Sequence, residues 1–228
     1  MHVFKLIAVV ALGLGASACT EIEQPSRNIA ANGDLVPSTI AAAATSERAA
    51  QAVRRGQSPV TVKAIRVEVP RTLSVSEANS YYPSGDIVWR EDPLGDRHAQ
   101  VKKIVYDGLS AGTRSLNGPM PVILDIRVRR FHALSEKARY TTGGVHNIHF
   151  DIAVRDANTQ ELLVQPRFVQ ADLDAFGGSE AIIAEARGQT QKKRIQQHLA
   201  AVIQQELTDP EGHKNANLGL IQAINHNF

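Results

Sequence analysis

The sequence predicts an α+β domain in the order β-α-β-β-β-α, with a four-stranded mixed sheet carrying two helices on one face. Three observations predict it. Four runs show apolar alternation with period two, two runs show helical spacing, and one helix stands between the first two strands while the other comes last. The domain covers residues 59–208, after a signal at 1–18 and a tether at 19–58, and before a flexible tail at 209–228.

Residues 1–18 have the order of a secretory signal: His2 and Lys5, an apolar run over 6–14, then Gly15, Ala16, Ser17 and Ala18. That run is too short to span a bilayer. Ala16-Ser17-Ala18 satisfies the A-x-A rule, and Ala-Ser-Ala-Cys also resembles a bacterial lipobox, with Ala16 where leucine is usual. Both cuts leave Cys19, the only cysteine, at the new N-terminus. An unpaired thiol at that position serves as a lipid attachment site, which places the chain on a membrane through its acyl groups; the alternative is a soluble periplasmic protein. Thr20 after the cysteine, rather than Asp, resembles an enterobacterial sorting signal for the outer membrane, periplasmic face.

Residues 20–58 hold almost no large apolar side chains and read as a flexible lead. As coil they would span about 35 Å. Residues 41–55 favour helix by composition, but their only apolar side chains beyond alanine are those of Val53.

The first strand is "PVTVKAIRVEVP", whose apolar phase flips near Ala64, by a bulge or by burial of both faces. Residues 71–95 form a long loop containing "SYYPSGDIVWREDPLGD". Asp96 is placed to cap a helix in which Val101, Ile104, Val105, Gly108, Leu109 and Gly112 share one face. Two glycines there cost about 1 kcal/mol each in propensity, which close approach of helix to sheet would offset. "PVILDIRVRRFH" puts Val122, Leu124, Ile126 and Val128 inward and Asp125, Arg127 and Arg129 outward. "VHNIHFDIAVRD" is the third strand, and "ELLVQPRFVQADLDAF" the fourth, where Pro166 requires an edge position or a bulge. The last helix runs from about 190 to 207; residues 179–188 either extend it or are set apart by an interruption at Gly188. The helix between strands one and two makes those strands parallel, and the short connections that follow make an antiparallel meander.

Composition excludes some function classes. The net charge of +2 falls to +1 once Lys5 is removed with the signal, so no field attracts nucleic acid. There is no G-x-S-x-G, no phosphate-loop pattern and no ligand set for a metal, and so no cofactor is expected. His146 and His149 stand three apart, but in a strand that spacing points them to opposite faces. An inward His146 with a hydrogen-bonded ring and a solvated His149 follow. Glu91, Asp92, Asp96, Asp172 and Asp174 supply carboxylates for glycoside hydrolysis, if two of them face across a cleft. The competing reading is a turn at Asp92-Pro93, a helix cap at Asp96 and solvated strand carboxylates. The basic run "GQTQKKRIQQH" and Arg127, Arg129 and Arg130 form either a solvated face or a contact with lipid phosphates. Tyr81, Tyr82 and Trp89 in the long loop either fold back over the core or anchor a partner.

The stretches "VPRTLSVSEANSYYPSGDIVWREDPLGDRHAQVKKI", "RFHALSEKARYTTGGVHNIHF", "DAFGG" and "GQTQKKRIQQHL" resemble an uncharacterised family of alphaproteobacterial lipoproteins, across most of residues 60–208. The resemblance implies no activity and transfers no catalytic residue. More distantly, the tether and element order resemble small envelope lipoproteins that assist lipopolysaccharide assembly or serve as auxiliary subunits of transporters. The expectation is a non-enzymatic lipid-anchored protein that binds a periplasmic protein or a lipid-like ligand. Its binding surface would be Tyr81, Tyr82, Trp89, Arg90, Asp92 and Asp96 with the helix-free face of the sheet. The alternative is a periplasmic hydrolase of envelope glycan that uses paired carboxylates.

Overall fold

The long central hairpin organises everything else. A computed structural model describes residues 38–55, 58–219 and 222; the signal, Cys19 and the first part of the tether lie outside them. Strands β3 (Met120–His132) and β4 (Gly144–Asp156) pair antiparallel over nearly their whole length. Strand β1 (Val60–Glu68) runs parallel to the first part of β3, as the intervening helix α2 (Arg97–Thr113) requires. Strand β5 (Leu162–Gln170) lies antiparallel on β4, so the main order is β1-β3-β4-β5.

Two short strands extend the expected four to six. β2 (Ile87–Val88), inside the long loop, runs parallel to the end of β3 at Phe131 and His132. β6 (Leu173–Ala175) continues beyond β5 and pairs with the start of β4. The run predicted as one fourth strand is therefore two, separated at Ala171 and Asp172.

The expected irregularities are present. The register of β1 slips between Val62 and Ala64, which accounts for the flip of apolar phase. β5 is the sheet edge, and its register on β4 slips on both sides of Val154, opposite the segment that holds Pro166. Asp96 caps α2, its carboxylate accepting from Ala99 N at 3.1 Å. Thr190 caps α5 (Gln191–Thr208), accepting from Lys193 N at 3.3 Å. Helix α4 (Gly178–Ala186) is separate from α5, and Gly188 at φ +73° makes the break. Helix α1 (Ser38–Arg54) occupies much of the region read as tether; it touches β3 and buries Ala49 and Ala52. A four-residue helix, α3 (Glu136–Arg139), follows β3.

α2 and α5 cover one face of the sheet. Val101, Ile104 and Leu109 join Leu124, Ile126, Phe150, Leu199 and Ile203 in one core. The two glycines of α2 meet α5, which corrects the expected approach to the sheet. A Cβ on Gly112 would stand 2.2 Å from Ala200 O, and one on Gly108 would stand 3.0 Å from Gln196 O. Bare backbone at these positions lets the helices touch, as in other small-residue crossings.

Candidate functional site

The loop singled out by its aromatics is fastened down along its length. Ser74 N and Oγ donate to Asp86 at 2.8 and 2.7 Å, and Ile87 N donates to Ser74 O at 2.9 Å. Trp89 is fully buried, packs edge-on to Phe131 at 5.8 Å between ring centroids, and donates its indole N–H to Asp92 Oδ2 at 2.9 Å. It belongs to the core and has no surface with which to anchor a partner. Tyr81 and Tyr82 do face solvent, with Lys137 Nζ lying 4.6 Å from the Tyr81 ring centroid.

The charged loop residues are engaged internally. Arg90 pairs with Glu136 and Glu77, and buried Arg97 pairs with Glu77 at 2.7 Å. Burial would raise the Asp92 carboxyl, but the Lys192 ammonium and the Trp89 indole together hold it below its ordinary value. Hydrogen bonds from Arg71 and from Ala99 N lower Asp96 to about 2. Glu91 accepts from Lys192 N at the start of α5 and lies 3.6 Å from Arg139. A general acid for glycoside hydrolysis needs a raised carboxyl pKa, and the carboxyls of Asp92 and Asp96 move the other way.

Asp172 and Asp174 also part company: Asp174 is exposed, whereas Asp172 is 1% exposed. Asp172 accepts from Asn147 Nδ2 at 3.2 Å, Asn215 Nδ2 at 2.9 Å and Gln222 Nε2 at 2.7 Å, and it contacts His149 Nε2 at 3.1 Å. Burial opposes its ionisation, and these partners overcome burial and hold its pKa well below the carboxylate range. His149 is consequently buried beside a carboxylate, not solvated. Asn215 and Gln222 belong to the segment expected to be a free tail; Asp172 holds it, and Glu206 adds a bond from His213 N at 2.8 Å. His146 points inward as expected, yet neither ring nitrogen has a hydrogen-bond partner among the described residues.

The helix-free face carries an open groove of about 580 Å³, with walls from β1, β3, β4 and β5. Its charges come in matched sets. Arg129 Nε meets Asp151 at 2.6 Å, Arg155 Nε meets Asp125 at 2.6 Å, and Arg66 lies 3.6 Å from the same Asp125. Arg127 stands at the centre, with Glu68 and Asp151 beside it in register, exposed and without an ion-pair partner among the described residues. No residue of 81–96 lines the groove, so the two halves of the predicted surface are separate. The outward alternation of Asp125, Arg127 and Arg129 was the sequence signal for it; the matching carboxylate of Asp151 was the part missed. Among the described residues there is no group of His, Cys, Asp and Glu arranged to hold a metal, and no helix long and apolar enough to cross a membrane.

Two solved structures are similar to this chain at low identity. A Xanthomonas campestris protein of family DUF330 is 12% identical, with 64% of this chain and 83% of that one covered, at a TM-score of 0.38. A candidate lipoprotein from Caulobacter crescentus is 15% identical, with 68% and 92% covered, at a TM-score of 0.35. At these TM-scores neither likeness carries an argument. No curated protein matches the chain. A family model does match, over residues 60–223, from the first strand to the segment that reaches Asp172, and the chain belongs to that family of unknown function, DUF6778.

Proposed function

We propose that this chain is a non-enzymatic protein of the bacterial envelope that acts by binding, with the groove on the helix-free face as its contact surface. The observation that supports this reading most is Arg127: an exposed guanidinium with no ion pair among the described residues, set beside the Arg129–Asp151 and Arg155–Asp125 pairs. A free guanidinium in such a setting suits a bidentate contact from a carboxylate or phosphate of the bound partner. The paired arginines around it are held in place, so their ordering entropy is already lost before binding. The finer reading is a lipid-anchored accessory subunit of envelope assembly or transport, attached through Cys19 to the periplasmic face of the outer membrane. The anchor rests on the Ala-Ser-Ala-Cys sequence, the outer membrane on Thr20, and the accessory role on the resemblance of the tether and element order.

Arg127→Gln in the full chain tests the surface. Cross-linking in native envelopes, followed by purification, should recover a partner with the wild type and lose it with the variant, while thermal unfolding stays within about 0.5 kcal/mol of wild type. Equal recovery of the same partner by both would remove the groove from the reading. Intact mass of the native protein tests the anchor separately: a mass of residues 19–228 plus acyl groups supports it, and an unmodified mass refutes it.

A further inference from the structure

A second site lies on the other side of the sheet, between α4 and α5. An open cleft of about 510 Å³ has Leu173, Phe176 and Ala184 as apolar walls, with Arg187, Arg194 and His198 among them. It shares Phe176, Ala184, Gln189 and Arg194 with a smaller chamber of about 10 Å³, room for roughly one water-sized atom. His146 and Gln191 line that chamber.

The chemistry of the chamber is incomplete as the chain folds. His146 is fully buried on the helix side of β4, and among the described residues neither its ring nitrogens nor Gln191 Oε1 has a hydrogen-bond partner. Burying polar groups without hydrogen bonds costs on the order of 1–3 kcal/mol each, so such groups mark a place where something else is bound. Burial, with the Arg194 and Arg139 guanidinia nearby, lowers His146 to about 3, so the ring is neutral and offers one N–H donor and one acceptor. The surrounding charge is mixed, with the Glu185 carboxylate on the chamber wall and Asp174 and Glu180 near Arg194, and two of its guanidinia are left unpaired. Arg139 is paired with Glu91 and Glu185, but Arg187 and Arg194 have no ion pair among the described residues. Arg194 lies over the Phe176 ring at 3.4 Å, donates to Asp174 O at 2.9 Å, and lines both the cleft and the chamber.

We propose that this cleft binds an oxyanion carried on an apolar chain, a phosphate monoester or a carboxylate. One oxygen enters the chamber to accept from His146, and the charge rests against Arg194 and Arg187. The chain lies along Leu173, Phe176 and Ala184, and a ligand hydroxyl or carried-in water donates to Gln191 Oε1. The site shares no residue with the groove of the helix-free face and stands or falls without it.

Calorimetric titration of the full chain with hexyl phosphate, hexanoate, inorganic phosphate and hexanol tests the assignment. Hexyl phosphate or hexanoate should bind, hexanol should not, and Arg194→Gln and His146→Gln should each weaken binding at least about tenfold, as loss of a charge-assisted hydrogen bond implies. Arg194 is half-exposed, so that variant keeps the test valid if His146→Gln fails to fold. Inorganic phosphate binding as tightly as hexyl phosphate, with the same dependence on Arg194, would assign the site to a free oxyanion instead of an amphiphile. No saturation by any anion, or anion binding unchanged in Arg194→Gln, would overturn the proposal.

Discussion

Replacing Gly112 by alanine should destabilise this protein although alanine is the better helix former. The new methyl carbon would lie 2.2 Å from Ala200 O, 2.6 Å from Ile203 Cγ2 and 2.7 Å from Ala200 Cα. Ordinary contacts begin near 3.5 Å, so α2 and α5 must separate by about 1 Å or more. Two of the three obstacles are backbone of α5 and cannot rotate aside. Overpacking of this kind costs up to about 3 kcal/mol, and the propensity gain offsets about 1, which leaves a net loss of about 2 kcal/mol. For a domain of this size that lowers the midpoint of thermal unfolding by about 4–8 °C, measurable by circular dichroism. Gly108→Ala is the internal control. Its methyl would meet Gln196 O and Leu199 Cβ at 3.0 Å, distances that a shift of a few tenths of an ångström relieves. Its net effect should lie within about 1 kcal/mol of zero. A Gly112→Ala protein as stable as wild type, or more so, would refute the helix–helix contact as the reason for glycine.

Stability should fall as pH drops from 7 to 5. Burial lowers His132 to about 4 and His146 to about 3, so between those values and the ordinary histidine pKa only the unfolded chain takes up protons. At pH 5 each contributes about 2 kcal/mol to that loss, which urea titrations at pH 7.5 and 5 would read as a falling midpoint; a flat midpoint would refute it. Depressed carboxylates such as Asp96 and Asp172 do not enter this window, because their unfolded pKa lies below it. Asp172→Asn should cost about 2–4 kcal/mol and free the segment beyond α5, since an amide cannot accept from Asn147, Asn215 and Gln222 together. Limited trypsin digestion should then cut after Lys214 much faster than in wild type, and an unchanged rate would show that the segment is held by something else.

What alternation and helical spacing carry was legible in the sequence: four long strands, α2, α5, the parallel β1–β3 pair and the slip in β1. The two extra strands were not, because neither has a pattern of its own. Ile87–Val88 and Leu173–Ala175 are strands because β3 and β4 are longer than β1 and β5 and leave edge to pair with. The placement of Trp89 depends on Asp92, three residues on, turning its carboxylate back to the indole. Burial of Asp172 depends on partners 23 to 50 residues away, beyond the range of any local signal. The groove was half legible, for the same reason: Arg129 could be seen to point outward, but its mate Asp151 lies 22 residues downstream on another strand.

The two irregular edges have a consequence for assembly. Open sheets invite copies of themselves, since an unpaired strand edge is a template for another strand. On one side a newcomer would meet the slip between Val62 and Ala64; on the other it would meet Pro166, which has no N–H to give, and two breaks in register within a few residues. Neither margin offers an even ladder of donors and acceptors. Growth of the sheet by addition of strands is thereby discouraged, and a partner that docks here would do so on a face.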